Sequence, residues 1–276
     1  MTGRRETILA EMGLAPVWRL RGKTIGESKS EAPAEAGAPR VNLAAPAAAK
    51  PAAPLRKSQI AAPLSGLAGT AKIDLADDRA ARILKMDWAE LKAAVSGCQA
   101  CGLRKTCTQT VFGVGDEKAD WLLVGEAPGA EEDARGEPFV GQAGRLLDNM
   151  LAAIGLARGK NVYIANVLKC RPPGNRNPEP FEVAQCAPHL LRQLELIQPK
   201  LILAMGRFAV QALLATEASI ASLRGRLHRY QGVPLIVTYH PAYLLRNLPD
   251  KAKAWEDLCF ARRTIAALQS GTASPA

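Results

Sequence analysis

No apolar run in the sequence approaches the ~18 residues that a membrane-spanning helix needs. The basic start, Met1-Thr2-Gly3-Arg4-Arg5, is not followed by an apolar stretch with a cleavage site, so no secretory signal is expected. Glu6 and Glu11 also argue against an organelle transit peptide. Acidic residues are in deficit: 26 Asp and Glu face 36 Lys and Arg, a formal charge of +10. These absences set aside an integral membrane protein and lead us to expect a soluble, cytoplasmic, nucleoid-associated chain of bacterial type. The charge favours a polyanionic partner, nucleic acid first. The imbalance is concentrated: between residues 165 and 246 ten Lys or Arg stand against four Glu.

Aromatic side chains are almost missing from residues 31–70, where 14 Ala and 6 Pro fill half the positions. Proline interrupts helices, and alanine buries too little surface to offset the entropy of ordering. Residues 23–80 therefore read as a flexible, disordered linker. Residues 1–22 hold a short amphipathic piece ending at Pro16-Val17-Trp18. It reads either as a docking peptide for a protein partner, anchored by Trp18, or as an unimportant tail. A compact domain is expected over residues 81–268, with a tail over 269–276.

Within that domain short apolar runs alternate with helical periodicity. Helical spacing covers 83–95, 142–155, 180–196, 207–215 and 250–268. Strands are expected at 120–125, 161–167, 201–205 and 233–239. This alternation predicts an α/β fold, a three-layer α/β/α sandwich around a four-stranded parallel sheet. Ligands of such sheets bind beyond the carboxyl ends of the strands. Glu126, Asn166, Gly206 and His240 each fall just past one of the four runs. The stretch Gly125-Glu126-Ala127-Pro128-Gly129 continues into Glu131, Glu132 and Asp133. It combines glycines that let a ligand approach the backbone with carboxylates able to orient water or substrate.

Six cysteines are present: Cys98, Cys101, Cys107, Cys170, Cys186 and Cys259. Without a secretory signal, disulfides are not expected. Cys98-x-x-Cys101 can place two thiolates on one metal, and Cys170 and Cys186 flank a basic loop and helix. A site of these four could hold zinc or an iron–sulfur cluster, and spacing alone does not choose. Cys107 and Cys259 read as non-ligands, with Cys107 the main competitor for a ligand position.

Four motifs now line up: Gly125-Glu126-Ala127-Pro128-Gly129 with Glu132-Asp133; Gly136-Glu137-Pro138-Phe139-Val140-Gly141; Asn166 before Lys169-Cys170-Arg171-Pro172-Pro173; and His240-Pro241-Ala242-Tyr243-Leu244-Leu245-Arg246. Together with the cysteine pattern they resemble a family 4 uracil-DNA glycosylase, the iron–sulfur type, from about Leu84 to Ala267. The resemblance implies a [4Fe-4S] cluster on Cys98, Cys101, Cys170 and Cys186. It implies a pocket in which the backbone of Gly125, Glu126 and Ala127 holds uracil, Phe139 stacks on the base, Asn166 reads its Watson–Crick edge and His240 faces O2. A related group that traps uracil-DNA covalently carries Gln where this chain has Ala127, and a basic insertion with a reactive His. Neither is present, so trapping is not expected.

The residues add a mechanism. Uracil in a duplex must be flipped out to expose its glycosidic bond. Arg171, Arg176 and Arg246 are the candidates for phosphate contacts, and Leu244 and Leu245 for a wedge into the gap. His240, Glu126 and Glu132 are the catalytic candidates, with the choice of carboxylate open. Other families carry Asp where this chain has Ala127. A monomer is expected. The competing reading is a non-catalytic nucleic-acid-binding module with a structural metal site.

Overall fold

A computed structural model describes residues 78–270. The expected N-terminal segment, most of the linker and the last residues of the tail lie outside these. Among the described residues, no helix is long and apolar enough to cross a membrane.

The first helical run divides in two: α1 (Asp78–Ile83) and α2 (Trp88–Ser96). The break comes from Asp87, whose carboxylate accepts the Glu90 N–H at 2.9 Å while Glu90 accepts the Asp87 N–H at 3.0 Å. This reciprocal cap starts a new helix inside a stretch whose apolar periodicity looked continuous. Helix α1 begins ahead of residue 81, and its Ala80 and Ile83 are buried.

The sheet has six strands in the order β1-β3-β2-β4-β6-β5: β1 (Val114–Gly115), β2 (Trp121–Gly125), β3 (Val162–Asn166), β4 (Leu201–Met205), β5 (Leu227–Tyr230) and β6 (Val233–Thr238). The four central strands, β3-β2-β4-β6, are mutually parallel, as the sequence led us to expect. The two outer strands pair antiparallel and were not anticipated. Strand β1 is only two residues long. Strands β5 and β6 are joined by Gln231-Gly232, both at positive φ (49° and 81°), the conformation of a tight hairpin turn. Gln is a poor sequence marker for such a turn, so the hairpin went unread.

Every residue of β2, β3 and β4 is buried, because helices cover both faces of the sheet. Alternate side chains serve opposite layers. Trp121, Leu123, Ile164, Leu203 and Ile236 pack with α4 (Gln142–Ala153) and α9 (Lys251–Gln269). Leu122, Val124, Ala165, Ile202, Ala204 and Val237 pack with α5 (Pro180–Ile197) and α6 (Arg207–Leu214). Shorter helices α3 (Ala130–Arg135), α7 (Ile220–Leu223) and α8 (Pro241–Arg246) complete the fold.

Helix α1 is part of this packing and not a frayed end. Ile83, 2 % exposed, is the test. Ile83→Ala should lower stability by about 2–4 kcal/mol, the usual result of emptying a packed aliphatic site. Urea unfolding of the two chains measures the difference, and a change below about 0.5 kcal/mol would show that α1 does not belong to the cooperative unit.

Candidate functional site

Parallel register places the expected residues along one edge. Gly125, the last residue of β2, lies opposite Asn166, the last of β3. The pairing continues past the strands: the Val167 and Leu168 N–H groups donate to the carbonyls of Gly125 and Glu126, each at 3.0 Å. Met205 lies opposite Thr238, so Gly206 and His240 leave β4 and β6 at the same level. A side chain on Gly125 would run into the Asn166 amide oxygen and the Phe139 ring. These three residues are therefore packed so closely that only glycine fits at position 125. The Asn166 Oδ1 is buried and has no hydrogen-bond partner among the described residues.

Phe139 is buried and its ring stacks on His240, with centroids 5.3 Å apart and planes at 28°. Its backbone is left-handed (φ 54°), an unfavourable conformation for an aromatic residue. Three groups hold it there. Arg158 donates to the carbonyls of Pro138 and Phe139, each at 2.8 Å, and is itself paired with Asp148 at 3.0 Å. Gly144 lets helix α4 press directly against the Phe139 carbonyl. Glu132 accepts the Val140 N–H at 3.2 Å through one oxygen and the Gly129 N–H at 3.1 Å through the other. The Glu132 carboxylate is thus occupied by backbone donors that lock the acidic loop to the Phe139 loop. Asp133, which the sequence offered only as part of a motif, accepts from the Thr108 and Gln109 N–H groups at 2.9 and 3.3 Å. Arg158 lies outside every recognised motif, and sequence reading missed it.

Glu126 differs from its acidic neighbours. Burial raises its pKa to about 7, against a lowering influence from Arg207. Arg207 is a second residue the sequence reading passed over; its guanidinium lies 4.5 Å from the Phe208 ring centroid. His240 moves the other way: burial lowers its pKa to about 4. It caps α8, its Nδ1 accepting the Ala242 N–H at 3.1 Å. With Nδ1 an acceptor, the neutral ring carries its proton on Nε2.

Cys98, Cys101, Cys170 and Cys186 line one cavity, partly open to solvent, together with Lys169, Arg104 and His189. All are free thiols. Two N–H donors already point at sulfur: Arg79 Nη2 lies 3.4 Å from Cys98 Sγ and the Lys169 N–H lies 3.3 Å from Cys186 Sγ. Burial pushes the Cys186 thiol up to about 11 and raises that of Cys170 further. Among the described residues, no three His, Cys, Asp or Glu side chains converge on a single-ion site. Cys107 is buried beside Leu103, Leu168 and Cys170 and does not line the cavity. Ala127 packs against this cysteine group, so the acidic loop lies between pocket and cavity.

At the rim the expected residues separate. Leu244 is fully buried in the core and cannot serve as a wedge; Leu245 is 40 % and Leu248 60 % exposed. Arg246 is exposed on α8. Arg171 donates to Asn175 at 2.7 Å. Arg176 is engaged by Glu182 at 2.5 Å and Glu179 at 3.3 Å, which leaves it poorly placed for an outside phosphate.

The raised Glu126 carboxyl has a consequence for stability. Its folded-state pKa exceeds the unfolded value, so the folded chain holds the extra proton. That contribution is complete below about pH 4.5 and is lost as pH rises through about 7. Glu126→Gln cannot titrate. The melting temperature of Glu126→Gln relative to the parent should therefore climb between pH 5 and pH 8; a difference that stays flat across this range would disprove the shift.

Against known proteins, the family model for the uracil DNA glycosylase superfamily matches residues 112–259. A Type-4 uracil-DNA glycosylase of Archaeoglobus fulgidus is 49% identical over 159 residues, covering 55% of this chain and 79% of that protein. The Type-4 enzyme of Pyrobaculum aerophilum is 40% identical over 183 residues, 63% of this chain and 93% of that protein. That of Thermotoga maritima is 45% identical over 161 residues, 58% of this chain and 83% of its own. A Type-5 uracil-DNA glycosylase of Pyrobaculum aerophilum reaches 33% over 151 residues. With the family model spanning more than half the chain and relatives matched over most of their length, this chain belongs to the uracil DNA glycosylase superfamily.

Proposed function

We infer that this chain is a uracil-DNA glycosylase that flips uracil out of DNA and hydrolyses its N-glycosidic bond, leaving an abasic site. The observation that carries this reading is the buried Asn166 Oδ1, unpartnered among the described residues, lying against Gly125 beside the Phe139 ring. A buried amide oxygen without a partner is costly, and the N3–H of uracil supplies the missing donor. The Asn166 NH₂ group then donates to O4. Cytosine presents an acceptor at N3 and a donor at its amino group, so it mismatches both contacts. Phe139 offers its ring for stacking, and the backbone of Gly125, Glu126 and Ala127 forms the wall.

As the glycosidic bond breaks, its electron pair passes into the base and negative charge gathers on O2. The His240 Nε2–H is the donor for that oxygen, and a ring with pKa about 4 stays neutral at physiological pH. Such a donor acts on charge that exists only in the transition state. Water adds to C1′ and gives up a proton. Glu126, whose pKa is raised to about 7, is our choice for the acceptor. Glu132 is reassigned from catalysis to positioning, because both its oxygens hold backbone N–H groups. Arg171, Arg207 and Arg246 are proposed for phosphate contacts, and Leu245, with Leu248 beside it, for the wedge.

The four cavity thiols fit an iron–sulfur cluster. All four line one cavity, the common placement that a four-thiolate cluster requires. N–H donors from Arg79 and the Lys169 main chain are aimed at the sulfur atoms of Cys98 and Cys186. When bound, a [4Fe-4S] cluster supplies a covalent staple between the segments that carry the cysteines; the residues of the uracil pocket perform the hydrolysis.

Two measurements test this. His240→Ala removes both the Nε2–H donor and a helix cap. It should cost about 1 kcal/mol of stability but about 10²–10³ in single-turnover excision from a uracil duplex. Folded variant that cleaves within a few-fold of the parent would remove His240 from catalysis. Anaerobically purified chain should be brown and hold about four irons. Stoichiometric zinc without iron would overturn the cluster assignment.

A further inference from the structure

Lys169 is 2 % exposed. Its ammonium donates to the main-chain carbonyl of Asn166 at 2.9 Å and to Gln193 Oε1 at 2.7 Å. Both acceptors are neutral, and among the described residues no carboxylate forms an ion pair with it. Gln193 in turn donates to the Phe112 carbonyl at 2.9 Å, so its orientation is fixed. A buried ammonium without a counter-charge is strongly unfavourable. The groups able to supply that charge lie beside it. The main-chain N–H of Lys169 donates to Cys186 Sγ at 3.3 Å, Lys169 lines the same cavity as the four cysteines, and Cys170 follows in the chain.

The same five residues, 166–170, run from the proposed uracil reader to a proposed cluster ligand. Val167 and Leu168 bond to the carbonyls of Gly125 and Glu126, the opposite wall of the pocket. The Lys169 carbonyl accepts the Val111 N–H at 2.7 Å. All five residues are buried, so the segment has no slack to absorb a change at one end.

We propose that Lys169 is a positioning residue coupling the iron–sulfur site to base recognition: its ammonium balances thiolate charge on one side and fixes the main chain of Asn166 on the other. The proposal rests on the glycosylase reading above. It makes Lys169 neither a ligand nor a group that touches substrate.

The test uses the full chain, loaded with iron, as parent, Lys169→Met and Lys169→Gln. Two quantities are read. One is the midpoint potential of the cluster by film voltammetry. The other is the affinity for a duplex carrying 2′-fluoro-2′-deoxyuridine, which resists cleavage, relative to the matched thymidine duplex. Loss of a nearby cation disfavours the more negative, reduced cluster, so both variants should show a lower potential. In Lys169→Met the preference for the uracil duplex should fall about tenfold, the effect of one lost buried hydrogen bond. Lys169→Gln keeps a donor without the charge, so it should match the drop in potential and lose less of the preference. A parent-like potential in either variant overturns the coupling, and so does a parent-like uracil preference in Lys169→Met. If the Met variant does not fold, the potential of the Gln variant decides alone. A parent chain that holds no iron brings down the cluster assignment, one that shows no uracil preference brings down the glycosylase reading, and either result ends this coupling.

Discussion

The parallel pairing of β2 with β3 is the constraint on which the site depends. It sets Gly125 opposite Asn166 and continues through Val167 and Leu168 after both strands have ended. Two loops that would otherwise diverge are held at hydrogen-bonding distance. One has no side chain at the point of closest approach, and the other presents a carboxamide there. A side chain at residue 125 would strike the Asn166 amide and the Phe139 ring. The pocket is thus a product of register: a shift of one residue would turn Asn166 to the opposite face of the sheet.

Around that register the chain holds conformations that its local sequence does not favour. Phe139 in a left-handed backbone is the clearest. Its placement is over-determined by Arg158, by Glu132 through Val140, and by the close approach of Gly144. The acidic loop therefore divides its labour. Glu132 and Asp133 bind backbone N–H groups and act as braces. Glu126, one residue past the strand, has no such duty and is left partly buried with a raised pKa. A cluster of carboxylates that looks uniform in sequence is sorted by what each oxygen touches.

That sorting explains how far the sequence could be read. The four parallel strands were legible because burial on both faces makes them continuous apolar runs. The candidates Glu126, Asn166 and His240 could be singled out because each follows such a run. The outer strands were not: β1 is two residues long, and β5 alternates between exposed and half-buried positions. The break between α1 and α2 hid behind unbroken periodicity, since a capping box is a local hydrogen-bond event. Leu244 and Leu245 are adjacent in one motif, yet only the helix shows that one faces the core. Arg176 read as a free cation because Glu182, six residues on, gave no sign of facing it. Arg158 and Arg207 carry no motif, and their contacts exist only in three dimensions.

One physical cause gives the two proposed catalytic groups their opposite shifts. Removal from water disfavours charge of either sign, so it raises the Glu126 carboxyl to about 7 and lowers the His240 imidazole to about 4. Between those values both groups are neutral in the fold. A neutral imidazole retains an N–H for the oxygen of the departing base across this whole range. The carboxyl becomes a proton acceptor only near its upper end. A charged imidazolium would be the stronger donor, but in a buried pocket it would also attract the phosphates and carboxylates around it before any bond had broken. Neutrality confines its largest benefit to the moment when negative charge appears on the base. The fold secures this without a dedicated partner for the ring: the Ala242 N–H occupies Nδ1, and burial does the rest.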